Sequence, residues 1–191
     1  SGKSGGQGEV VSALCEGLSE RGINVHLLIL NLKKRLQREA QMTEKQWRDV
    51  RYRTDSDMIH LISSAVFADN MSAYSGDPIL TAIEFQKEII NNSLKAIRAK
   101  NEGRVIVHSH DWMAGGAVTA YAASTGLPVL HTVHNVFTAC IPLDLMRGIG
   151  LSKIADRLYL NESDGKPCID CQATAIKNAT MINFVDERFL K

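Results

Sequence analysis

The chain has 191 residues, 45% of them hydrophobic and 6% aromatic, and a formal net charge of +1. Such a composition is typical of a folded domain with a substantial core, and the small net charge offers no broad positive field for nucleic acid or acidic lipid. No apolar run is long enough to span a bilayer, and four scattered cysteines do not form a disulfide framework, so we expect no membrane segment, no signal peptide and a reducing, cytoplasmic setting.

A glycine-rich turn near the start of the chain leads directly into a helix. The turn contains Lys3, Gly5 and Gly6, and the apolar positions after it recur at helical spacing until Gly22. Unpaired N–H groups and the dipole at a helix start attract anions, so these three residues are predicted to bind phosphate. A tight strand–helix connection without a ligand is the alternative. Because such a turn normally follows a strand, we expect that the first strand is missing from this chain.

Two strands and a long helix are predicted over residues 23–100. The apolar runs 23–30 and 58–63 are typical of buried strands. Asp77 as N-cap and Pro78 as first helical residue predict a helix that continues to about Lys100, with Gly103 beyond its end.

The segment between those strands is basic. It has eight Lys or Arg against three acids over residues 33–53, and Thr43 with Gln46 could open a helix there. We interpret the segment as a solvated excursion over the sheet edge. A nucleic-acid patch is the alternative, but the segment carries only two aromatic residues, Trp47 and Tyr52, among its charges.

A strand–helix–strand unit is predicted from 104 to 134. The strands are 104–110 and 129–134, and the helix, 112–124, is rich in small residues. Such a unit requires parallel pairing and a right-handed crossover. Residues 135–167 are expected to be irregular, followed by a helix over 169–178 and a strand over 181–185. The fold class is therefore α/β: a Rossmann-like open parallel sheet with helices on both faces.

Polar residues collect where the parallel strands end. His110, Asp111 and Trp112 end one predicted strand, and His134 and Asn135 end the next. Ligands of open α/β sheets bind outside the carboxyl ends of the strands, so these stretches and the glycine turn are predicted to converge on one site.

Several of the candidate residues also have structural interpretations. His108 and His131 lie within strands and are interpreted as buried core histidines, and Asp111 is expected to cap the following helix. Cys168 and Cys171 have the spacing of half a zinc site, but no second half lies nearby, so we predict no metal and no cofactor.

Five motifs in the expected order resemble one enzyme family. They are Lys3–Val10, Leu18–Val25, the His108-Ser109-His110-Asp111-Trp112 signature, Thr132-Val133-His134-Asn135 and, more loosely, Ala179–Phe189. Together they are similar to the N-terminal catalytic domain of glycogen synthases and plant starch synthases, which are retaining hexosyltransferases of the GT-B architecture. The match extends over most of residues 1–191, as a single domain.

The resemblance implies a function for each part. Lys3, Gly5 and Gly6 would hold the donor diphosphate. His134 and Asp111 would be the catalytic residues: Asp111 would lie in an interdomain cleft, and His134 would contact the donor glucose near its anomeric carbon. Trp112 and Asn135 would complete the substrate site. The partners would be ADP-glucose or UDP-glucose, an α-1,4-glucan acceptor, and a C-terminal nucleotide-binding domain that is absent from this chain, without which the chain would be inactive.

The chain departs from the family pattern at a few positions. Gln7 replaces a leucine, Met113 a histidine, and Phe137-Thr138-Ala139 the usual Tyr-Gln-Gly. Glycosyl transfer to another acceptor and a non-catalytic carbohydrate-binding domain are therefore the alternatives. A nicotinamide-binding domain would need G-x-G-x-x-G and an acid after the second strand, where this chain has Asn31.

Overall fold

The computed structural model describes residues 6–32, 59–101 and 104–185. The chain divides into two compact units, Ser1–Ala73 and Tyr74–Lys191. Lys3, Gly5, the basic segment with Thr43 and Gln46, and Gly103 lie outside the described residues, so the predictions made for them stay predictions.

The first unit contains one helix and two paired strands. Helix α1 spans Gly6–Ser19, and strands β1, Leu27–Leu30, and β2, Ile59–Ile62, pair in parallel with Leu27 opposite Ile59. Gly22 has φ of 75°, and the Ile23 N–H returns to the Leu18 carbonyl at 3.1 Å, so the predicted glycine stop is confirmed. Asn31 follows β1 and donates its side-chain amide to Ser63 Oγ at 3.0 Å.

The second unit opens with the predicted long helix. Helix α2 spans Pro78–Glu88, a π-helical turn spans Ile89–Ser93, and helix α3 spans Leu94–Lys100. Asp77 Oδ1 accepts from the N–H groups of Ile79 and Leu80 at 2.9 and 3.0 Å, which confirms the predicted cap. The buried face carries Ile83, Ile90, Leu94 and Ile97.

A parallel sheet carries the candidate site. Strand β3 spans Val107–His110, helix α4 Asp111–Ser124, strand β4 Val129–Val133 and strand β8 Met181–Phe184, in the sheet order β3–β4–β8. The predicted strand–helix–strand unit is confirmed, with Val107 opposite Val129. Within the described residues, the parallel strands form two separately hydrogen-bonded sheets rather than the single open sheet that was predicted.

An antiparallel sheet occupies part of the segment that was predicted to be irregular. Strands β5, Cys140–Pro142, β6, Leu160–Ser163, and β7, Lys166–Asp170, pair in the order β5–β7–β6. Three single 3₁₀ turns lie between β5 and β6, at Leu143–Met146, Leu151–Lys153 and Ala155–Arg157. Helix α5 spans Cys171–Asn178. It begins later than the predicted helix over 169–178, because Ile169 and Asp170 belong to β7.

Helix α4 is bent where its small residues approach α5. Gly116 has φ −33° and ψ −107°, and Ala117 N–H donates to the buried Gln86 Oε1 at 2.7 Å. A Cβ at Gly115 would lie 2.9 Å from Ala175 Cβ, and one at Gly116 would lie 2.9 Å from Cys171 Sγ. The two glycines therefore allow α4 and α5 to pack backbone against side chain.

Candidate active site

Strand β3 passes into helix α4 without a loop residue. His110 ends β3 and Asp111 begins α4, and Asp111 takes up the turn with φ of 53°. Positive φ is uncommon for a residue with a side chain, although aspartate tolerates it better than most. Such residues are held by surrounding contacts and occur often at functional sites.

The Asp111 carboxylate holds the end of β4. Its Oδ1 accepts from the N–H groups of His134 at 2.8 Å and Asn135 at 3.3 Å, and its Oδ2 accepts from Asn135 Nδ2 at 2.8 Å. Asp111 is only 2% exposed, and these three donors compensate the cost of burying the charge. The prediction that Asp111 caps α4 is wrong, since His110 is the N-cap residue and the Asp111 carboxylate bonds across to the next strand.

We call the three hydrogen bonds from His134 and Asn135 to the Asp111 carboxylate the Asp111 clamp. Three histidine rings lie in contact beside it. His110 Nδ1 is 2.9 Å from His134 Nε2, and the His108 and His110 rings stack with centroids 4.2 Å apart. Burial, followed by the neighbouring histidines, lowers the pKa of His110 to about 3. Burial and His134 also lower the pKa of His108. His110 is therefore neutral at physiological pH.

The two histidines interpreted as core residues differ in environment. His131 is completely buried, with Nδ1 2.8 Å from Ser109 Oγ, which confirms its core position. Burial lowers the pKa of His131, although an interaction with the Gln172 side chain partly opposes the shift. Within the described residues, neither His131 Nε2 nor Gln172 Oε1 has a well-formed hydrogen bond. His108 is only half-buried, and its Nε2 lies 2.8 Å from Thr132 Oγ1.

The segment after His134, residues 135–139, is tied down at both ends; we call it the site loop. Asn135 Oδ1 accepts from Phe137 N–H at 2.8 Å, and Asn135 O lies 3.4 Å from Gln172 Nε2. Thr138 Oγ1 donates to Asp170 Oδ1, which also caps α5 through Ala173 N–H at 2.9 Å. The loop is thus anchored to the start of α5, so its backbone is held although its outer side chains are exposed.

A cavity of about 450 Å³ opens beside the site loop, lined by Tyr74, Trp112, Asn135, Phe137 and Thr138. Trp112 is 5% exposed, whereas Tyr74 and Phe137 are 60% and 73% exposed. Burial and the Asp111 carboxylate raise the pKa of Tyr74, so its phenol is protonated at neutral pH. The cavity presents aromatic faces next to amide and hydroxyl groups, a combination that suits a polar ligand with an apolar face.

The structure brings together four of the predicted site residues: Asp111 contacts His134 and Asn135 directly, and Trp112 shares the cavity with Asn135. Gly6 is the first residue of α1 in the other unit. Tyr74, Thr138 and Asp170 were missed. The Phe137-Thr138-Ala139 departure from the family pattern pointed to Thr138, and no sequence signal pointed to Tyr74 or Asp170.

The late cysteines lie at the junction of β7 and α5, with Cys168 in the strand and Cys171 as the first residue of the helix. Cys168 and Cys171 are buried free thiols. Burial raises the pKa of Cys168 to about 11, with a further contribution from the neighbouring Cys140 thiol, and burial raises that of Cys171 to about 12. Across the described ranges, no group of three or more His, Cys, Asp or Glu residues is arranged to hold a metal ion.

The parallel strands with their connecting helix, and the histidine, aspartate and asparagine side chains at the carboxyl edge of the sheet, place this unit in the α/β class, consistent with a Rossmann-like fold. The model of the starch synthase catalytic domain family matches residues 2–191, and the chain belongs to this family of glycosyltransferases. A search of curated protein sequences found no significant match. Among the described helices, none combines the length and the apolarity needed to cross a bilayer.

Proposed function

We propose that the chain is the N-terminal half of a GT-B glycosyltransferase that moves glucose from ADP-glucose or UDP-glucose to the non-reducing end of an α-1,4-glucan. The observation that carries the proposal is the Asp111 clamp on His134 and Asn135, found at the carboxyl edge of the sheet in a chain of the starch synthase family. A second nucleotide-binding domain would supply the other wall of the cleft, so we expect this chain to be inactive alone.

In this proposal His134 and Asn135 contact the donor glucose, and Asp111 acts from behind them. Asp111 is 2% exposed and its carboxylate already accepts three hydrogen bonds, so it has little surface left for a substrate. We therefore assign to Asp111 the positioning of the His134 and Asn135 backbone rather than direct contact with the sugar. A fixed backbone at this point keeps ligand groups in the geometry that the transition state requires.

The donor diphosphate is assigned to the glycine turn. Cleavage of the bond between glucose and phosphate builds negative charge on the leaving diphosphate, and donors that are already aimed at that charge stabilise the transition state. Lys3, the N–H groups of Gly5 and Gly6, and the dipole of α1 are groups of the required kind. This assignment comes from the sequence resemblance.

The acceptor is assigned to the cavity beside the site loop. The C–H faces of a glucose ring are apolar and stack on aromatic side chains, while its hydroxyls bond to amides and hydroxyls. The cavity offers Trp112 and Phe137 as aromatic walls and Asn135 and Thr138 as polar partners. Trp112 is held rigidly by burial, whereas Phe137 is largely exposed and available to a ligand.

Calorimetric titration of the chain with maltooligosaccharides, ADP-glucose, UDP-glucose and NAD tests the class of ligand. We expect oligosaccharide binding, weak nucleotide-sugar binding and no NAD binding. NAD binding in preference to sugars would overturn the proposal. Joining the chain to a nucleotide-binding domain of the same family and assaying glucosyl transfer then separates an enzyme from a carbohydrate-binding domain, because only the former gains activity.

The acceptor assignment has its own matched pair of variants. Phe137→Ala should weaken maltooligosaccharide binding by about fivefold, which corresponds to roughly 1 kcal/mol for a lost aromatic contact. Val136→Ala is the control, because Val136 is equally exposed, at 74%, but does not line the cavity. Equal affinities for the two variants would remove the cavity from the acceptor site.

A further inference from the structure

His134 is held by two separate contacts from the preceding strand–helix junction. The backbone N–H of His134 donates to Asp111 Oδ1 at 2.8 Å, and the His134 ring contacts His110, with His110 Nδ1 2.9 Å from His134 Nε2. The first contact sets where the residue lies, and the second sets how its imidazole is turned. The ring contact is unnecessary for the fold of the sheet, whose hydrogen bonds are made by the backbone.

We propose that His110 is a positioning residue that holds the His134 ring in one orientation and ties its tautomer to that of His110, which leaves Nδ1 as the ring nitrogen that a ligand meets. That the ligand is a donor sugar rests on the proposed function, whereas the effect of His110 on the His134 ring is independent of it.

The argument follows from the protons of two neutral imidazoles. Each neutral ring carries one N–H, and a hydrogen bond between two rings needs one donor and one acceptor at the facing nitrogens. The 2.9 Å contact therefore couples the two tautomers: a proton on His110 Nδ1 requires a bare Nε2 on His134, and the reverse. An imidazole without such a partner would exchange between both forms.

The surroundings keep His110 neutral, as the coupling of tautomers requires. The titratable groups around it are His108 on the same strand, His131 on β4, His134 directly after β4, and Asp111 at the start of α4. Burial and the three histidines together lower the pKa of His110 to about 3, so it carries no charge across the physiological range. The His108 ring, stacked at 4.2 Å, also prevents His110 from turning away.

Three substitutions of His110 separate hydrogen bonding from packing. An asparagine amide reaches about as far as Nδ1 of histidine, whereas a glutamine amide reaches about as far as Nε2. His110→Asn should therefore keep the bond to His134, and His110→Gln and His110→Phe should lose it. His26→Phe is the control, because His26 forms another imidazole pair, with His60 at 2.9 Å, in the other unit.

The readout is two-bond proton–nitrogen correlation NMR of the histidine rings at about pH 8, above the ordinary histidine pKa. The chain has 6 histidines, which single substitutions can assign. We expect the same His134 tautomer populations in the parent, in His26→Phe and in His110→Asn, and different populations in His110→Gln and His110→Phe. Unchanged populations in His110→Gln, or the same change in His110→Asn as in His110→Gln, overturn the proposal. If His110→Phe does not fold, the Asn and Gln variants decide.

Kinetics of the two-domain enzyme give the functional consequence. We expect kcat to fall by about tenfold or more in His110→Gln with little change in KM, and to recover in His110→Asn. Equal kcat in both variants refutes a catalytic consequence. Absence of glucosyl transfer by the parent enzyme would instead refute the proposed function and leave the NMR result standing.

Discussion

Removal of the Asp111 carboxylate tests the clamp most directly. In Asp111→Ala three donors lose their acceptor: the N–H groups of His134 and Asn135 and the Asn135 side-chain amide. Hydrogen bonds to a charged group contribute about 1.5–3 kcal/mol each, but water can reach part of this half-buried edge, so we expect a total loss of about 3–5 kcal/mol. Asp111→Asn keeps the shape and one acceptor oxygen, but it sets two amide NH₂ groups against each other at Asn135, and we expect a loss of about 2–3 kcal/mol.

The assay is urea unfolding followed by the fluorescence of Trp112, which is buried next to the clamp. Trp47, the second tryptophan, is replaced by Phe in every protein so that the signal comes from one residue. Adding Asn135→Asp to Asp111→Asn exchanges the two groups and should restore about 1 kcal/mol, a coupling that a double-mutant cycle measures.

Asp164→Asn is the matched control for an Asp→Asn substitution at a residue with positive φ. Asp164 also has positive φ, 51°, but it is exposed and lies in the turn between β6 and β7. This substitution should change the free energy of unfolding by less than about 0.5 kcal/mol. If Asp111→Asn changes stability as little as Asp164→Asn does, the carboxylate does not hold the site and the reasoning is refuted.

Three further predictions concern packing, the diphosphate and pH. Gly116→Ala should lower the free energy of unfolding, measured in urea, by about 1–3 kcal/mol, since the new Cβ would lie 2.9 Å from the buried Cys171 Sγ. Gly17→Ala is the control: the nearest atom to its new Cβ would be 3.6 Å away, so it should be neutral or stabilising, and equal effects of the two variants would contradict the prediction. Lys3→Ala in the two-domain enzyme should lower kcat/KM by about tenfold or more, and an unchanged value removes Lys3 from the mechanism. The pKa of His110 is lowered from 6.5 to about 3, so as the pH drops His110 is protonated in the unfolded chain before it is protonated in the folded one. The free energy of unfolding should therefore fall between pH 6.5 and about 3, and it should fall less steeply in His110→Asn. Identical slopes in the two proteins would contradict this prediction.

Local signals predicted most of the helices and strands correctly. Asp77 and Pro78 marked a helix start, Gly22 marked a helix stop, and apolar runs marked strands of both parallel sheets. These signals work because caps, turns and side-chain periodicity act within a few residues of chain.

The antiparallel sheet could not be predicted in the same way. Strand β5 is only three residues long, and β6 is exposed at all four positions, so neither shows the alternation of a half-buried strand. Both are stabilised by pairing with β7, and that pairing brings Asp170 to Thr138 in the site loop. Asp170 was therefore missed although it anchors the candidate site.

The amino-acid sequence by itself determined the family, the helices and strands of the parallel sheets, and the polar residues that follow β3 and β4. Only the tertiary structure decided what those residues do to one another: the Asp111 carboxylate bonds to residues 23 and 24 positions away instead of capping its own helix, and His110 meets the His134 ring. The physical reason is that capping and periodicity depend on neighbours in sequence, whereas these contacts depend on the parallel register of β3 with β4, which sets the ends of two distant segments side by side.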